Sequence, residues 1–408
     1  MNAEQFLNEA KGYEQQLVEK RRYLHRHAET GFDLHDTKEF VKKELEAMGY
    51  EPQDCGKAGV VVNAGGKKVG KVFLIRGDMD ALPMQEQADV DFPSETGKMH
   101  ACGHDMHATM LLGAAKLLKE HEDEIEGTVK LMFQPAEEIF EGAHDMIEAG
   151  VLKNPDVDAA LMIHVMAGMP FPEGTVVVSD GGISAPGADY YKIHIQGKGC
   201  HGSMPNTGVD PITVAAHIVT ALQEIHAREL GLIDEAVLTI GQIHAGQAAN
   251  VIPDTVDMEG TIRTYDEDVR AFIKQRITEI SQGIATSFRA TADVIFGKGC
   301  PVLENDAELS ACSVKYVREL LGQGKAFSQG ELMAMAGGGK ATKAAGSEDF
   351  AYVSQEVPSI MLALAAGQPD KGYAYPQHHP KVKFDESVLA PGSAVYAYTA
   401  MRWLEEHK

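Results

Sequence analysis

Apolar and polar residues alternate along the 408-residue chain with either the helical or the strand period. Residues 3–28 carry apolar side chains at helical spacing, with charges on the other face, which predicts one long opening helix. Residues 34–48 repeat this pattern and stop at Gly49, a residue that suits a helix end. Two apolar runs between Val60 and Ile75 are separated by glycines and predict two strands joined as a hairpin.

The following segments continue the alternation of helices and strands. The pattern predicts a helix over 108–119, strands over 128–133 and 158–165, a helix over 304–321, a short helix opening at Ser347, a strand over 359–365 and a final helix over 386–406. Strands that alternate with helices are typical of an α/β protein.

Between the two α/β regions the order of elements changes. The pattern predicts strand, helix, strand, strand, helix and strand over 190–196, 209–230, 236–244, 255–264, 267–288 and 290–296. This order is the signature of a split βαβ sandwich. We therefore predict a larger α/β domain formed by residues 1–186 and 298–408, with a smaller α+β domain of residues 187–297 inserted into it.

Composition and charge exclude several classes of partner. The chain is 44% apolar and 24% charged, which is ordinary for a globular protein of two or three units. Its 37 Lys and Arg against 60 Asp and Glu give a net charge of -23, which argues against nucleic acid or an anionic membrane as the partner. The N-terminus lacks the features of a signal peptide, and no run of about eighteen apolar residues occurs. On these grounds we expect a cytoplasmic protein. We also expect no disulfide framework, because the five cysteines are odd in number and widely spaced.

The segment H-A-C-G-H-D-M-H, residues 100–107, concentrates metal-binding side chains. Imidazole, thiolate and carboxylate groups are the ligands that proteins use for divalent transition metals. A loop that enters a helix here can direct Cys102 and His104 at one point. The alternative is a set of ordinary histidines at the start of a helix.

Three predicted strands are followed by, or end in, residues that can bind metal ions or transfer protons. Asp78 and Asp80 follow the first of these strands, Glu137 and Glu138 follow the second, and His164 ends the third. The carboxyl ends of strands are where α/β proteins place their active sites. Each group alone is equally compatible with a surface turn or a structural histidine, but their recurrence favours a shared site. A later loop, Q-H-H-P, adds two further histidines.

Taken in order, nine stretches of the chain resemble one protein family. The stretches are R-R-Y-L-H-R-H-A-E-T-G, R-G-D-M-D-A-L-P-M-Q-E, M-H-A-C-G-H-D-M-H, Q-P-A-E-E, I-H-V at His164, G-K-G-C-H-G-S-M-P, N-V-I-P-D with G-T-I-R-T, G-S-E-D-F and H-H-P. They resemble the dinuclear metallohydrolases that include N-acyl-amino-acid amidohydrolases, hippurate hydrolases and indole-3-acetyl-amino-acid hydrolases, a family related to aminoacylase and metallo-carboxypeptidases. The matches run from residue 21 to 380.

The resemblance implies a zinc-peptidase-like α/β domain that holds two divalent metal ions, and an inserted lid domain that pairs with its copy in a homodimer. It implies five metal ligands, Cys102, His104, Glu138, His164 and His378, with Cys102 placed to bridge the ions. His378 is preferred because the family pattern is H-x-P, and His379 remains open. The ligand chemistry favours Mn or Zn, with Co or Ni as alternatives.

The same resemblance assigns roles to residues outside the ligand set. Glu137 would be the general base and acid, and Asp80 would orient a ligand histidine. His201, reaching across the dimer, and Asn250 would stabilise the oxyanion. Arg263 would bind the substrate carboxylate, with a salt bridge at a strand end as the alternative.

The function implied is hydrolysis of the amide bond of N-acyl amino acids. A dipeptidase or carboxypeptidase that uses the same centre is the alternative, and a non-catalytic metal-binding or partner-binding protein is a rival from another class. Three departures from the family pattern affect the expected specificity and the lid near His201: Cys200 in place of a glycine, Ala28 in place of a proline, and the sequence V-M-A-G-M-P after His164.

Overall fold

The computed structural model describes residues 2–335, 343 and 346–408. The chain divides into two compact units. The first unit comprises Met1–Ser184, Glu304–Lys343 and Asp349–Lys408, and the second comprises Ala185–Leu303 and Ala344–Glu348.

The helices and strands are numbered separately in chain order. The helices are α1 Ala3–Lys11, α2 Glu14–Arg26, α3 His35–Ala47, α4 His104–Glu120, α5 Gly142–Glu148, α6 Pro211–Glu224, α7 Glu267–Ser287, α8 Ala307–Leu321, α9 Gln329–Met335, α10 Ala351–Ser354 and α11 Leu389–Glu406. The strands are β1 Gln53–Cys55, β2 Gly59–Gly65, β3 Val72–Asp78, β4 Thr128–Gln134, β5 Ala159–Met166, β6 Val176–Val178, β7 Gly182–Ala185, β8 Gly187–Gln196, β9 Cys200–His201, β10 Ala236–Ala245, β11 Val251–Ile252, β12 Thr255–Thr264, β13 Thr291–Cys300, β14 Leu303–Asn305, β15 Ala326–Ser328 and β16 Ser359–Ala365.

Strands of the first unit form a mixed sheet in the order β1-β2-β4-β3-β5-β16-β6-β15. The predicted hairpin of β2 and β3 is wrong, because β4 lies between them, antiparallel to β2 and parallel to β3. Helix α4 connects β3 to β4, as a parallel pair requires a crossover. The parallel strands β4, β3, β5 and β16 therefore bring their carboxyl ends to one edge of the sheet.

The predicted opening helix is two helices. Helix α1 ends at Gly12, whose N–H bonds to the carbonyls of Asn8 and Glu9, and α2 begins again at Glu14. Gly12 has little preference for continuing a helix, so the chain turns there while the apolar positions stay on the core side. The buried residues of the two helices are Phe6, Ala10, Leu17, Arg21, Leu24 and His25.

Helix α4 runs through the middle of the first unit. It starts at His104, four residues earlier than the sequence pattern predicts, and is buried on nearly every side. Helices α2 and α11 pack against it, and β3 lies beneath it. The polar residues of its first turn are consequently inside the protein, where each one needs a partner.

The second unit forms a four-stranded antiparallel sheet in the order β10-β12-β8-β13. Helices α6 and α7 pack together and against this sheet, and their apolar residues form its core. The predicted order of strands and helices in this segment is confirmed, as is the predicted fold class of an α/β domain with an inserted α+β unit. Within the described residues, the helices offer no stretch that is both long and apolar enough to cross a membrane.

Candidate metal centre

The loop that enters α4 places two of the predicted ligands. Gly103 has φ +93°, and a Cβ built there would lie 2.5 Å from a side-chain carbon of Val165. Only glycine fits both the conformation and the space, so the chain can turn into the helix immediately after Cys102. Cys102 and His104 are both buried, and their Sγ and imidazole nitrogen atoms lie on the same side of the turn.

The two glutamates lie on a tight turn after β4. Glu137–Ile139 form one turn of 3₁₀ helix, bounded by Ala136 at φ 55° and Phe140 at φ 57°. Both flanking residues carry side chains in the left-handed region, which costs of the order of 1 kcal/mol each and occurs preferentially at functional sites. The turn directs the carboxylates of Glu137 and Glu138 towards His104, at 3.9 Å from its Nε2 in each case.

The other predicted ligands come from β5 and from a late loop. His164 donates from Nδ1 to the carbonyl of Val165 at 2.8 Å, and its Nε2 lies 3.4 Å from the Sγ of Cys102. The backbone N–H of His378 donates to the carbonyl of Ala101 at 3.0 Å, which fixes the loop beside the Cys102 turn. His379 instead stacks on Tyr375 and accepts the N–H of Lys381.

These five side chains form two groups that share Cys102. The first, here called the inner triad, is Cys102, His104 and His164, and the second, the outer triad, is Cys102, Glu138 and His378. Within each triad the ligand atoms lie within 4.8 Å of one another. A thiolate shared by two groups of nitrogen and oxygen ligands is an arrangement that can bridge two ions.

Two orphaned buried atoms show that the triads fit metal ions. His104 donates from Nδ1 to the carbonyl of Asp80 at 2.8 Å, and its buried Nε2 has no hydrogen-bond partner among the described residues. The buried Oε1 of Glu138 also has none. Buried polar atoms are normally paired, so unpaired ones that converge with a thiol suit a divalent transition metal.

The charges of the site match this use. Burial would raise the pKa of the Cys102 thiol, but the imidazoles of His164 and His104 outweigh it and hold that pKa well below its usual range. Burial likewise raises the pKa of Glu138, to about 8, with the Cys102 thiolate adding to the effect. A hydrogen bond to Cys102 raises the pKa of His378. Cations in the triads would relieve the crowding of negative groups.

Asp78, His104 and His107 also lie together, but His107 and Asp78 have their polar atoms engaged elsewhere. His107 Nδ1 donates to Asp78 Oδ1 at 2.6 Å, and Nε2 accepts the N–H of Val165 at 2.8 Å. The other Asp78 oxygen accepts from Arg76 at 2.6 Å. Burial would raise the pKa of Asp78, but Arg76 holds it well below its usual range. These bonds favour a supporting role for the pair over metal ligation.

The basic end of α2 supports the first turn of α4. Arg21 Nε lies 2.8 Å from Asp105, and His25 lies between two carboxylates, 2.8 Å from Asp105 and 3.0 Å from Glu86. All four side chains are buried. The R-R-Y-L-H segment thus anchors the helix that carries His104.

The three predicted substrate-binding residues lie in the second unit. His201 on β9 pairs with Val251 on β11, and the carbonyl of Asn250 accepts the N–H of Gly202 at 2.8 Å, so His201 and Asn250 are neighbours. His201 Nδ1 accepts from the N–H of Ser203, which leaves the proton on Nε2. Arg263 on β12 donates to Ser347 Oγ.

Several residues that organise the centre have a weak signal in the sequence or none. Arg76 interrupts an apolar strand, and that irregularity could have indicated a buried ion pair. Gln377 and Tyr396 contact β5 beside His164, and nothing in the sequence pattern connects them with it. Asp349, at the end of G-S-E-D, receives bonds from Arg76 and Gln134.

The fold and the site define an amide-hydrolysing enzyme, and comparison with known proteins gives its family. Residues 74–402 match peptidase family M20/M25/M40, and the chain belongs to that family. A protein of Bacillus subtilis (strain 168) named N-acetylcysteine deacetylase is 34% identical over 98% of this chain and 99% of its own length. The IAA-amino acid hydrolase ILR1-like 2 of Arabidopsis thaliana is 36% identical over 96% and 85%. Thermostable carboxypeptidase 2 of Saccharolobus solfataricus is 36% identical over 98% of each chain.

Solved structures agree with this assignment. A putative aminohydrolase from methicillin-resistant Staphylococcus aureus superposes with a TM-score of 0.88 at 33% identity, over 99% of this chain and 100% of that one. A Bacillus subtilis protein described as a dinuclear metal-binding peptidase of the M20 family superposes with a TM-score of 0.77 at 32% identity, over 97% and 99%. The predicted family is confirmed, and the findings support a centre for two divalent ions.

Proposed function

We propose that the protein hydrolyses N-acyl amino acids, using two divalent metal ions held by the inner and outer triads. The observation that carries the proposal is the convergence of four candidate ligand side chains on a shared Cys102 beside a further carboxylate, Glu137. Relatives at about a third identity that are named as a deacetylase of an N-acetyl amino acid and as an amino-acid-conjugate hydrolase support this substrate class. Mn and Zn suit the mixed ligands best, with Co and Ni as alternatives.

The metal ions, when bound, would polarise the amide carbonyl and lower the pKa of the attacking water. The chain's own contribution is proton transfer. Glu137 is buried beside the triads, with its carboxylate 3.9 Å from His104 Nε2, where it can accept the proton of the water and return it to the leaving nitrogen. Asp80 holds Glu137 in place, because its carboxylate accepts the N–H of Glu137 at 3.0 Å and of Glu138 at 3.3 Å.

The second unit supplies groups for the substrate. His201 carries its proton on Nε2 and can donate it to a developing oxyanion, and Asn250, its neighbour, offers a second donor. Arg263 offers a planar guanidinium for the substrate carboxylate. We propose that residues 187–297 act as the lid, that they pair two subunits in a homodimer, and that His201 serves the site of the partner.

The cysteines are consistent with the proposed cytoplasmic location. All five are free thiols, and the proposed metal-binding thiol needs to stay reduced. An exported protein of this composition would risk oxidation of Cys102.

A carboxypeptidase or dipeptidase activity is the second candidate function. The similarity to a thermostable carboxypeptidase over almost the whole chain favours it. The two activities share the metal centre and differ in the group on the acyl side, where a dipeptide presents a charged amine. The presence of Glu137 disfavours a non-catalytic binding protein, because a protein that only binds has no need of a general base.

Turnover of a substrate panel tests the proposal. Enzyme loaded with Mn or with Zn is assayed against N-acetyl, N-benzoyl and indole-acetyl amino acids, and against dipeptides and carboxypeptidase substrates. We expect N-acyl amino acids to be cleaved with the highest kcat/KM. Preference for dipeptides would favour the second candidate, and hydrolysis of neither class by protein with two bound ions would favour the binding protein.

Two glutamate variants separate the roles within the site. Glu137→Gln is expected to bind two ions and to lose about a hundredfold to ten-thousandfold in kcat. Glu138→Gln is the matched control, one residue away, and is expected to lose the ion of the outer triad. Equal loss of metal in both variants would contradict the assignment of Glu137 as the base.

A mixture of inactive subunits tests the shared site. Glu137→Gln and His201→Ala homodimers are mixed under conditions that exchange subunits, and partial recovery of activity is expected because one site of each heterodimer is intact. No recovery after proven exchange would mean that His201 does not act across the dimer.

A further inference from the structure

Strand β5 loses its neighbour β3 shortly before it reaches His164. The two strands pair only from Phe73–Arg76 with Ala159–Met162. Beyond that point β5 still pairs with β16, but the N–H groups of Ile163 and Val165 bond to side chains instead of a strand. Ile163 N donates to the hydroxyl of Tyr396 at 3.0 Å, and Val165 N donates to His107 Nε2 at 2.8 Å.

The bond to His107 requires a single state of its ring. Nε2 can accept the Val165 N–H only as a lone pair, so the one proton of the neutral imidazole is on Nδ1, where it is donated to Asp78 Oδ1 at 2.6 Å. Asp78 is held in turn by Arg76 through its other oxygen at 2.6 Å. This chain of bonds is buried throughout, which makes each member costly to remove.

The backbone of Val165 links this chain of bonds to the proposed metal ligands. Its carbonyl accepts from His164 Nδ1 at 2.8 Å, a bond that leaves His164 Nε2 facing Cys102. The same carbonyl accepts from the side-chain amide of Gln377 at 2.9 Å, and Gln377 directly precedes the outer-triad ligand His378. The backbone of Val165, held at both its N–H and its carbonyl, thus fixes the tautomer and the direction of His164.

We propose that His107 is a positioning residue for the inner triad, which fixes the backbone of Val165 so that the Val165 carbonyl orients His164 towards the metal. The inference rests on the proposed two-metal centre. His164 bonds directly to the Val165 carbonyl, so the effect of His107 falls on the triad that contains His164. His378 is linked to that carbonyl only through its neighbour Gln377. The outer triad keeps Cys102, Glu138 and the loop contact of His378 with Ala101.

Stepwise titration with Co²⁺ tests the proposal. Wild type, His107→Leu and His107→Gln are titrated against a competing chelator while the cobalt absorption bands are recorded for each equivalent. In His107→Leu we expect one ion to bind as in wild type and the other to bind 10-fold to 100-fold more weakly, with altered bands. In His107→Gln we expect both affinities within threefold of wild type, because the amide can accept from Val165 and donate to Asp78.

Two further variants keep the test decisive. Lys130→Met removes a buried group of β4 that bonds to three carbonyls of residues 151–155, so it serves as a destabilised control that should bind both ions normally. If His107→Leu does not fold, His107→Asn replaces it, since its shorter amide cannot reach both partners, and the same selective loss is expected.

The outcomes separate this inference from the proposed function. Wild-type affinity for both ions in folded His107→Leu, equal weakening of both, or the same loss in Lys130→Met would overturn the positioning role alone. Failure of the wild type to bind two ions would overturn the proposed function and with it the inference.

Discussion

The side chain of Asp80 holds the backbone of Glu137 in place. The Asp80 carboxylate accepts the N–H of Glu137 at 3.0 Å, and the carbonyl of Asp80 accepts from Nδ1 of the ligand His104 at 2.8 Å. The Asp80 carboxylate lies 3.5 Å from the same nitrogen, so the carbonyl is the atom that orients the histidine. Asp80, which lies just beyond β3, therefore fixes both the tautomer of a proposed ligand and the turn that carries the proposed base.

Asp80→Asn should consequently impair catalysis more than metal binding. The amide has one oxygen for two N–H donors, so the turn at Glu137 loses a charge-assisted bond worth about 1.5–3 kcal/mol. We expect kcat to fall about tenfold or more while two ions still bind. Asp158→Asn is the matched control, since Asp158 accepts the N–H of Val72 at the opposite end of β3. Measured kcat and metal content that change together in Asp80→Asn would contradict this role.

Metal affinity is expected to rise with pH. Burial and the Cys102 thiolate raise the pKa of Glu138 to about 8, so below that pH the metal-free carboxyl carries a proton that a metal ion must displace. Each displaced proton weakens binding about tenfold per pH unit below the pKa. Competition with a chelator at pH 6.5, 7.5 and 8.5 measures this dependence. An affinity independent of pH over that range would show that Glu138 is not protonated before metal binds.

Removal of His25 should alter how stability depends on pH. Burial and Arg21 lower the pKa of His25, but Asp105 and Glu86 outweigh them and raise it above its unfolded value. The charged ring thus contributes stability that is fully present below pH about 6.5 and is lost as the pH rises through the folded pKa. In urea unfolding, we expect His25→Gln to be destabilised most at low pH and less at high pH.

The control for this prediction is His121→Gln. His121 also lies between two carboxylates, of Glu9 and Glu124, but it is nearer the surface, so we expect a smaller effect with the same sign. A destabilisation of His25→Gln that does not change from pH 6 to pH 9 would mean that the ring is neutral in the folded protein.

Lys130→Met should destabilise the first unit without affecting the site. The Lys130 amine is buried and donates to the carbonyls of Val151, Lys153 and Pro155 at 2.8–2.9 Å. Loss of these bonds leaves three carbonyls without their donor, and we expect a loss of about 3 kcal/mol in the free energy of unfolding.

Lys71→Met is the matched control for Lys130→Met. Lys71 is half-exposed and forms a surface ion pair with Asp158, so its loss should cost under about 1 kcal/mol. Similar unfolding midpoints for the two variants would contradict the importance of the three buried bonds.

The sequence alone determined the chemistry and the order of the elements. The metal-binding residue types at Cys102, His104 and His164, the Glu137–Glu138 pair and the β-α-β-β-α-β order could all be read from the sequence, because apolar period and residue type are local properties. The helix break at Gly12 could not be predicted from the sequence, because the spacing of the core-facing apolar residues continues through it.

The tertiary structure decided which strands are neighbours and which polar atoms meet. β4 lies between β2 and β3, and His378 rather than His379 faces Cys102. On β5, the N–H groups of Ile163 and Val165 bond to the side chains of Tyr396 and His107. The physical reason is that the alternation along a strand specifies its buried face but not its partner. Strand partners and buried hydrogen bonds join residues far apart in the chain, and only the packed fold brings them together.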